Sequence, residues 1–159
     1  MSLLYFAYGS NLDEGQMRWR CPTAQPHGPA LLPEHRLVFA GVSRTWSGGG
    51  CATVLPAPGH LVPGFLYRLG GDELADLDRH EGNYRRERLT VHHPGGEALA
   101  AWVYIRKRSE PRRAPSPAYL AQMAHAYGRL GYDLEALLAA LPDEVAPRRP
   151  SPLPRSSQA

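Results

Sequence analysis

Cysteine is scarce: only Cys21 and Cys51 occur among 159 residues. Two isolated thiols make no disulfide scaffold, and neither carries a recognisable nucleophile signature. The scattered histidines show no His-x3-His spacing and the cysteines no Cys-x2-Cys spacing, so no metal site is expected. Long apolar runs are missing too. None approaches the ~20 residues of a membrane-spanning helix. The first run stops at Gly9 with no basic stretch before it, which reads as a strand and not a signal peptide. No membrane partner and a cytoplasmic location are the expectation. Gly-x-Ser-x-Gly is not formed around Ser10, and no His-Asp partnership is indicated, which disfavours a serine nucleophile. The net charge of +3 comes largely from Arg106-Lys107-Arg108, Arg112-Arg113, Arg148-Arg149 and Arg155, in loops and the tail. A nucleic-acid footprint asks for a basic face with interleaved aromatics, so no nucleic-acid partner is expected.

What is present is the composition of an ordinary globular domain, 43% hydrophobic and 21% charged, enough to bury a core. Leu3 to Tyr8 has strand character and runs into Gly9-Ser10-Asn11-Leu12. Asn11 to Asp13 offer N-cap residues for a short helix through Arg20, ended by Cys21-Pro22, with Leu12, Met17 and Cys21 facing inward. Residues 27–40 read as one long strand or two broken ones. Residues 44–50 form a loop with Gly48-Gly49-Gly50 as its flexible tip. Cys51 to Leu55 is a short strand closed by Pro56, and a Pro58-Gly59 turn leads to a second strand over 62–69. Asp72 is placed as the N-cap of a helix carrying Leu74 and Leu77, which ends near Glu81 with Gly82 at the C′ position. Strands over 86–92 and 98–106 flank a Pro94-Gly95-Gly96 turn. A helix announced by Pro115-Ser116-Pro117 carries Tyr119, Leu120, Met123, Tyr127 and Leu130 and stops at Gly131. Asp133 caps a last helix whose Leu134, Leu137, Leu138 and Leu141 pack against it.

About five to seven strands thus precede or flank three or four helices, in α+β order without βαβ alternation. A small, mostly antiparallel β-barrel with peripheral helices is the natural architecture. The domain spans residues 1–141. Residues 142–159, rich in Pro, Arg and Ser, form a tail with no apolar period, expected to be partly disordered.

Two stretches bear chemistry. In Tyr8-Gly9-Ser10-Asn11, glycine can take φ > 0 or let a ligand approach the backbone, and Ser and Asn favour turns. One reading is a loop whose N–H groups hold a carboxylate or a developing oxyanion; the other is an ordinary strand-turn-helix corner. Glu81 ends a helix in Leu77-Asp78-Arg79-His80-Glu81-Gly82, and its spacing from Leu77 and Asp78 puts it on the side of the buried stripe. A carboxylate there is partly desolvated, which raises its pKa and suits it to act as a base near neutrality. The competing reading is a solvated carboxylate paired with Arg85 or Arg86.

These residues carry a resemblance. Tyr5 to Leu12, Thr45 to Thr53, Leu77 to Gly82 and Pro115 to Tyr119, in that order, are similar to stretches of the γ-glutamylcyclotransferase-like family, which includes γ-glutamylamine cyclotransferases and AIG2-like proteins. The likeness covers roughly residues 3–141. It implies a small closed or nearly closed β-barrel with the Tyr-Gly-Ser-Asn loop facing a glutamate across a cavity. It implies an enzyme that cyclises a γ-glutamyl group by attack of its own α-amine, releasing 5-oxoproline and an amine or amino acid, with no metal or cofactor. By motif match Glu81 is the catalytic acid/base, and Tyr8, Gly9, Ser10, Asn11 and Leu12 form the substrate-binding loop. Tyr119 lines the substrate site, Tyr84 stands for the aromatic that follows the Glu-Gly pair, and Trp46 shapes the cavity mouth. The implied partner is a small γ-glutamyl compound, and a monomer and a homodimer are both compatible with the resemblance. The alternative is a member that binds a small metabolite in the same cavity without this chemistry.

Overall fold

The computed structural model describes residues 3–44, 46 and 48–143. Most of the expected tail, 144–159, lies outside the described residues. Five strands close into a barrel in the order β1 (Leu3–Ala7), β3 (Cys51–Leu69), β2 (Gln25–Ala40), β4 (Tyr84–His92), β5 (Ala98–Arg106). Every pairing is antiparallel except the closing contact of β5 with β1, which is parallel at Tyr5 and Trp102. Four helices pack around this barrel: α1 (Glu14–Arg20), α2 (Gly71–His80), α3 (Pro117–Leu130) and α4 (Glu135–Ala139). Among the described residues no helix is long and apolar enough to cross a membrane.

The two-residue period of β1 divides the core. Phe6 and Tyr8 point to one side and join Leu32, Phe39, Val54, Leu66, Val91 and Val103, with Met123 and Tyr127 of α3 and Leu137 of α4. Tyr5 and Ala7 point to the other side, where Met17 of α1 and Leu74 and Leu77 of α2 cover them. Burying each large apolar side chain stabilises the fold by about 1.5–3 kcal/mol. One strand therefore serves both the barrel core and the helix layer, and its end is held from both sides.

Several expectations are corrected in detail. The segment read as two strands around Pro56 is one element, β3. The expected Pro58-Gly59 turn survives as a bulge: residues 57–60 stand opposite Glu34, because β2 and β3 pair Leu61 with Pro33 and then Pro56 with His35. Glu34 and Gly59 take left-handed φ of 61° and 80° there, and the Gly59 N–H donates to Glu34 Oε2 at 3.2 Å. The N-cap of α2 is Gly70, not Asp72; the Glu73 side chain reaches back to accept from the Gly70 N–H at 2.8 Å. Gly82 follows the C-cap Glu81 without adopting left-handed φ. On α4 the expected leucine face narrows: Leu137 is buried, while Leu134 and Leu138 are 41% and 45% exposed. The N-cap of α4 is Leu134, not Asp133, although Asp133 Oδ1 accepts from the Glu135 N–H at 2.9 Å.

The glycine-rich tip at 48–50 is tied down rather than flexible. The Gly50 N–H donates to the Ala114 carbonyl at 2.8 Å, and the Ser43 N–H donates to the Gly49 carbonyl at 2.7 Å. A Cβ on Gly50 would collide with the Arg113 carbonyl, and one on Gly49 with the Ser116 amide. Only glycine lets these two backbones lie in contact. Ser116 then caps α3, its Oγ accepting from the Tyr119 N–H at 3.2 Å, with Pro117 in the first turn where its missing N–H costs nothing.

Candidate active site

The strand β1 ends at Ala7 and the chain turns at once into a single 3-10 turn, Ser10–Leu12. Gly9 has φ −112°, so it is not there for a left-handed turn. Its lack of a side chain is what matters: a Cβ would stand 3.0 Å from the Tyr119 hydroxyl. The turn closes with Leu12 N–H donating to the Gly9 carbonyl and Asp13 N–H to the Ser10 carbonyl. The amides of Ser10 and Asn11, first in the turn, have no partner within it. The Asp13 side chain then caps α1 by accepting from the Gln16 N–H. α1 in turn delivers Arg20 back to the loop, where its Nη1 donates to Asn11 Oδ1 at 3.1 Å.

Glu81 arrives from the far side, as the C-cap of α2. Its Oε1 lies 3.5 Å from Arg20 Nη1, and the two side chains are 14% and 12% exposed. Neither Arg85 nor Arg86, the solvated partners considered above, reaches it: Arg85 pairs with Glu87 and Arg86 with Asp78. Burial pushes the Glu81 carboxyl above its ordinary value; Arg20 and Arg106 pull it back, and Asp78 adds to the rise. A raised carboxyl next to a cleft is what a proton carrier near neutral pH requires.

At least three spaces border this carboxylate: one, about 370 Å³, lies towards Asp78, Arg86, Trp102 and Lys107, and the other two, an inner and an outer, share four residues. The inner one, about 40 Å³, is walled by Tyr5, Tyr8, Gly9, Ser10, Asn11, Glu81, Tyr84, Tyr104 and Tyr119. The outer one, about 230 Å³, shares Ser10, Glu81, Tyr84 and Tyr119 and opens past Val42, Ser43, Arg44, Trp46 and Arg106. The tyrosines are held rigidly. Tyr8 donates to the Tyr104 carbonyl, Tyr84 to the Ala52 carbonyl at 2.7 Å, and Tyr104 to Asp78 Oδ1 at 2.6 Å. Trp46 stacks on Tyr119 with ring centroids 5.0 Å apart. Burial drives the Tyr8, Tyr84 and Tyr119 phenols upward, so they stay protonated and act as neutral donors.

The residues singled out from sequence thus divide. Tyr8, Gly9, Ser10, Asn11, Tyr84 and Tyr119 all wall the inner space with Glu81. Leu12 lines none of these spaces: its side chain lies in the barrel core, its N–H closes the turn and its carbonyl accepts from Arg129 Nη2. Ser10 Oγ is held by the Gln16 amide, and its carbonyl accepts from Gln122, so it has no base to activate it. Asn11 is buried, donating to the Tyr5 hydroxyl at 2.9 Å while its Oδ1 receives Gln16 and Arg20. Sequence reasoning missed Arg20, Arg106, Tyr5 and Tyr104. Arg20 shares a helix with three other charged residues (Glu14, Arg18 and the capping Asp13), so nothing in its spacing marked it as the one turned inward. Tyr5 and Tyr104 alternate with apolar residues, which reads as core.

A closed, mostly antiparallel barrel whose first strand-turn faces a buried carboxylate defines a compact class of small-molecule site. Residues 5–121 match the model of the family described as gamma-glutamyl cyclotransferase, AIG2-like, and the chain belongs to that family. Proteins called gamma-glutamylcyclotransferase are 34% identical in Bos taurus and 39% identical in Homo sapiens over 126 residues. Each match covers 74% of this chain and 66% of the relative, a little under two thirds of its length. A solved structure titled gamma-glutamyl cyclotransferase superposes with a TM-score of 0.81 at 27% identity, covering 95% of this chain and 91% of the other.

Proposed function

We propose that this chain is a γ-glutamyl cyclotransferase: it cyclises the γ-glutamyl group of a small molecule to 5-oxoproline and releases the amine to which that group was attached. The observation that carries the reading is Glu81, a buried carboxyl with a raised pKa, walling the same small space as the Gly9-Ser10 loop. Family membership and the cyclotransferase names of the relatives support it.

The substrate brings its own nucleophile, so the protein has three tasks. It must fold the γ-glutamyl chain until the α-nitrogen meets the γ-carbonyl, an orientation effect that can contribute several kcal/mol to the barrier. It must take a proton from the α-ammonium, the role of the Glu81 carboxylate. It must also stabilise the oxyanion formed when nitrogen attacks the γ-carbon, for which the N–H groups of the loop and the neutral phenol of Tyr119 line the space, the Tyr8 hydroxyl being committed to the Tyr104 carbonyl. Collapse of that intermediate breaks the original C–N bond. Glu81 gives its proton to the departing nitrogen; the new ring nitrogen, which enters the intermediate with two protons, then passes its second through the same carboxylate to the released amine, so the carboxylate is regenerated and no proton is gained or lost. No metal, cofactor or enzyme nucleophile enters the scheme. Both thiols are free and buried, which fits a cytoplasmic setting. All residues invoked come from one chain, so a monomer or a homodimer would serve.

The test is incubation of the protein with a panel of γ-glutamyl amino acids, amides and amines, with 5-oxoproline followed by mass spectrometry. Formation of 5-oxoproline from at least one compound is expected; a panel that yields none overturns the reading.

A further inference from the structure

We infer that Arg106, fixed by Glu110, selects substrates whose leaving group carries a negative charge; the inference rests on the cyclotransferase reading above and extends it to the part of the substrate that departs. With the γ-carbonyl held at Glu81, the leaving group extends into the 230 Å³ outer space, which shares Ser10, Glu81, Tyr84 and Tyr119 with the inner one. The charges met there are uneven. Arg20, Arg44 and Arg106 line it, with His80, against the single carboxylate of Glu81. Arg20 already faces Glu81. Arg44 is exposed at the rim. Arg106 is the built cation: its side chain is only 9% exposed, and its Nε and Nη2 both donate to Glu110 Oε1, at 2.8 and 2.6 Å. The guanidinium lies over the Tyr84 ring, 5.2 Å from its centroid, so a second face of the cavity also sets its plane.

The backbone makes room for this pair. Gly41, with φ 69° at the end of β2, sits where a Cβ would collide with the Glu110 carboxylate and press on Arg106 Nη2. The Arg106 N–H is tied to Thr53 Oγ1 at 3.1 Å, which fixes the stem. Glu110 does not line the outer space. It therefore orients Arg106 without presenting its own charge to the substrate. Among the described residues Arg106 Nη1 has no hydrogen-bond partner, and it is the donor left for a ligand. A carboxylate on the leaving group would meet a preset guanidinium. An uncharged carboxamide at that position would gain less, and an ammonium would be repelled.

Three isosteric compounds test this: γ-glutamyl-alanine, γ-glutamyl-alaninamide and a γ-glutamyl derivative of a short diamine. The expected order of kcat/KM is acid, then amide, then ammonium, with acid over amide by about tenfold or more. In Arg106→Gln the acid-to-amide ratio is expected to fall to within about twofold of one. Arg106→Lys, which keeps the charge and loses the oriented plane, is expected to fall between and serves if the glutamine variant does not fold. Equal use of acid and amide by the natural protein, or an unchanged ratio in the Arg106 variants, overturns the inference. Calorimetric binding of the same acid and amide separates the two readings. Preferred acid binding without any turnover would sink the cyclotransferase reading and leave Arg106 in its role. Turnover with no acid preference would do the reverse.

Discussion

Two arginine–glutamate pairs each bring an arginine to the same cavity, and they are built differently. Arg106 and Glu110 meet through two short hydrogen bonds onto one oxygen. Arg20 and Glu81 approach at 3.5 Å, and Arg20 Nη1 shares itself with Asn11. The arginines are about equally buried, so the difference lies in geometry and not in depth. In the tight pair the carboxylate is committed to holding its cation in place. In the loose pair the carboxylate is kept charged by a neighbour that does not occupy it, which leaves it able to accept a proton. Arg20 Nε is buried with no partner among the described residues, a further sign that this pair is not optimised for stability.

The largest effect is expected at the loose pair itself. Glu81→Gln keeps the size and removes the base, and turnover of γ-glutamyl substrates should fall about 10³-fold or more, with the melting temperature changed by only a few degrees. Retained turnover would remove Glu81 from the mechanism. Next is Arg20→Gln. A base must be ionised to work, so activity is lost as pH falls through the raised Glu81 pKa. Arg20 and Arg106 favour the ionised form and Asp78 opposes it. Deleting Arg20 should therefore move the acid limb of the kcat/KM profile to higher pH. A lower rate with an unshifted limb would mean that Arg20 acts on packing alone. At the tight pair, Glu110→Gln should be read in stability: it leaves a nearly buried guanidinium with a weaker partner and should cost about 1–3 kcal/mol by denaturant unfolding. The smallest effect belongs to Arg18, 3.9 Å from Glu14 on the open face of α1. Arg18→Ala should stay within about 0.5 kcal/mol of the natural protein. A large loss there would mean that exposure does not govern these pairs.

Much of the site was legible because its parts are contiguous in sequence. Tyr8 to Asn11 is one turn, and Glu81-Gly82 ends one amphipathic helix, so local pattern and motif sufficed. The arginines were illegible for a physical reason. Arg20 and Arg106 lie among other basic residues, and a charged residue on a helix or strand edge is usually solvated; only tertiary placement turns these two inward. The barrel class followed from the count and order of the elements, five to seven strands with three or four helices and no βαβ alternation. The continuity of β3 did not, since Pro56, Pro58 and Pro63 each signal a break. In the structure Pro56 and Pro63 pair with His35 and Leu31 on either side of the bulge that absorbs the irregularity. The mistaken N-cap at Asp72 has a similar origin: Asp is the better cap in isolation, but the reach of Glu73 to the Gly70 amide starts the helix earlier.

The fastening of Gly49 and Gly50 to the 113–116 backbone has a consequence for redesign. The segment bearing Val42, Arg44 and Trp46 and the segment leading into Tyr119 form a single rigid cassette, zipped by Gly41 N–H to the Pro111 carbonyl, Arg113 N–H to the Phe39 carbonyl and Gly50 N–H to the Ala114 carbonyl. Grafting one of these loops from a relative with different selectivity would import half of a joint. Residues 41–50 and 111–119 are the natural unit of exchange, and a chimera that swaps both at once is the one that should inherit the donor's preference with its barrel undisturbed.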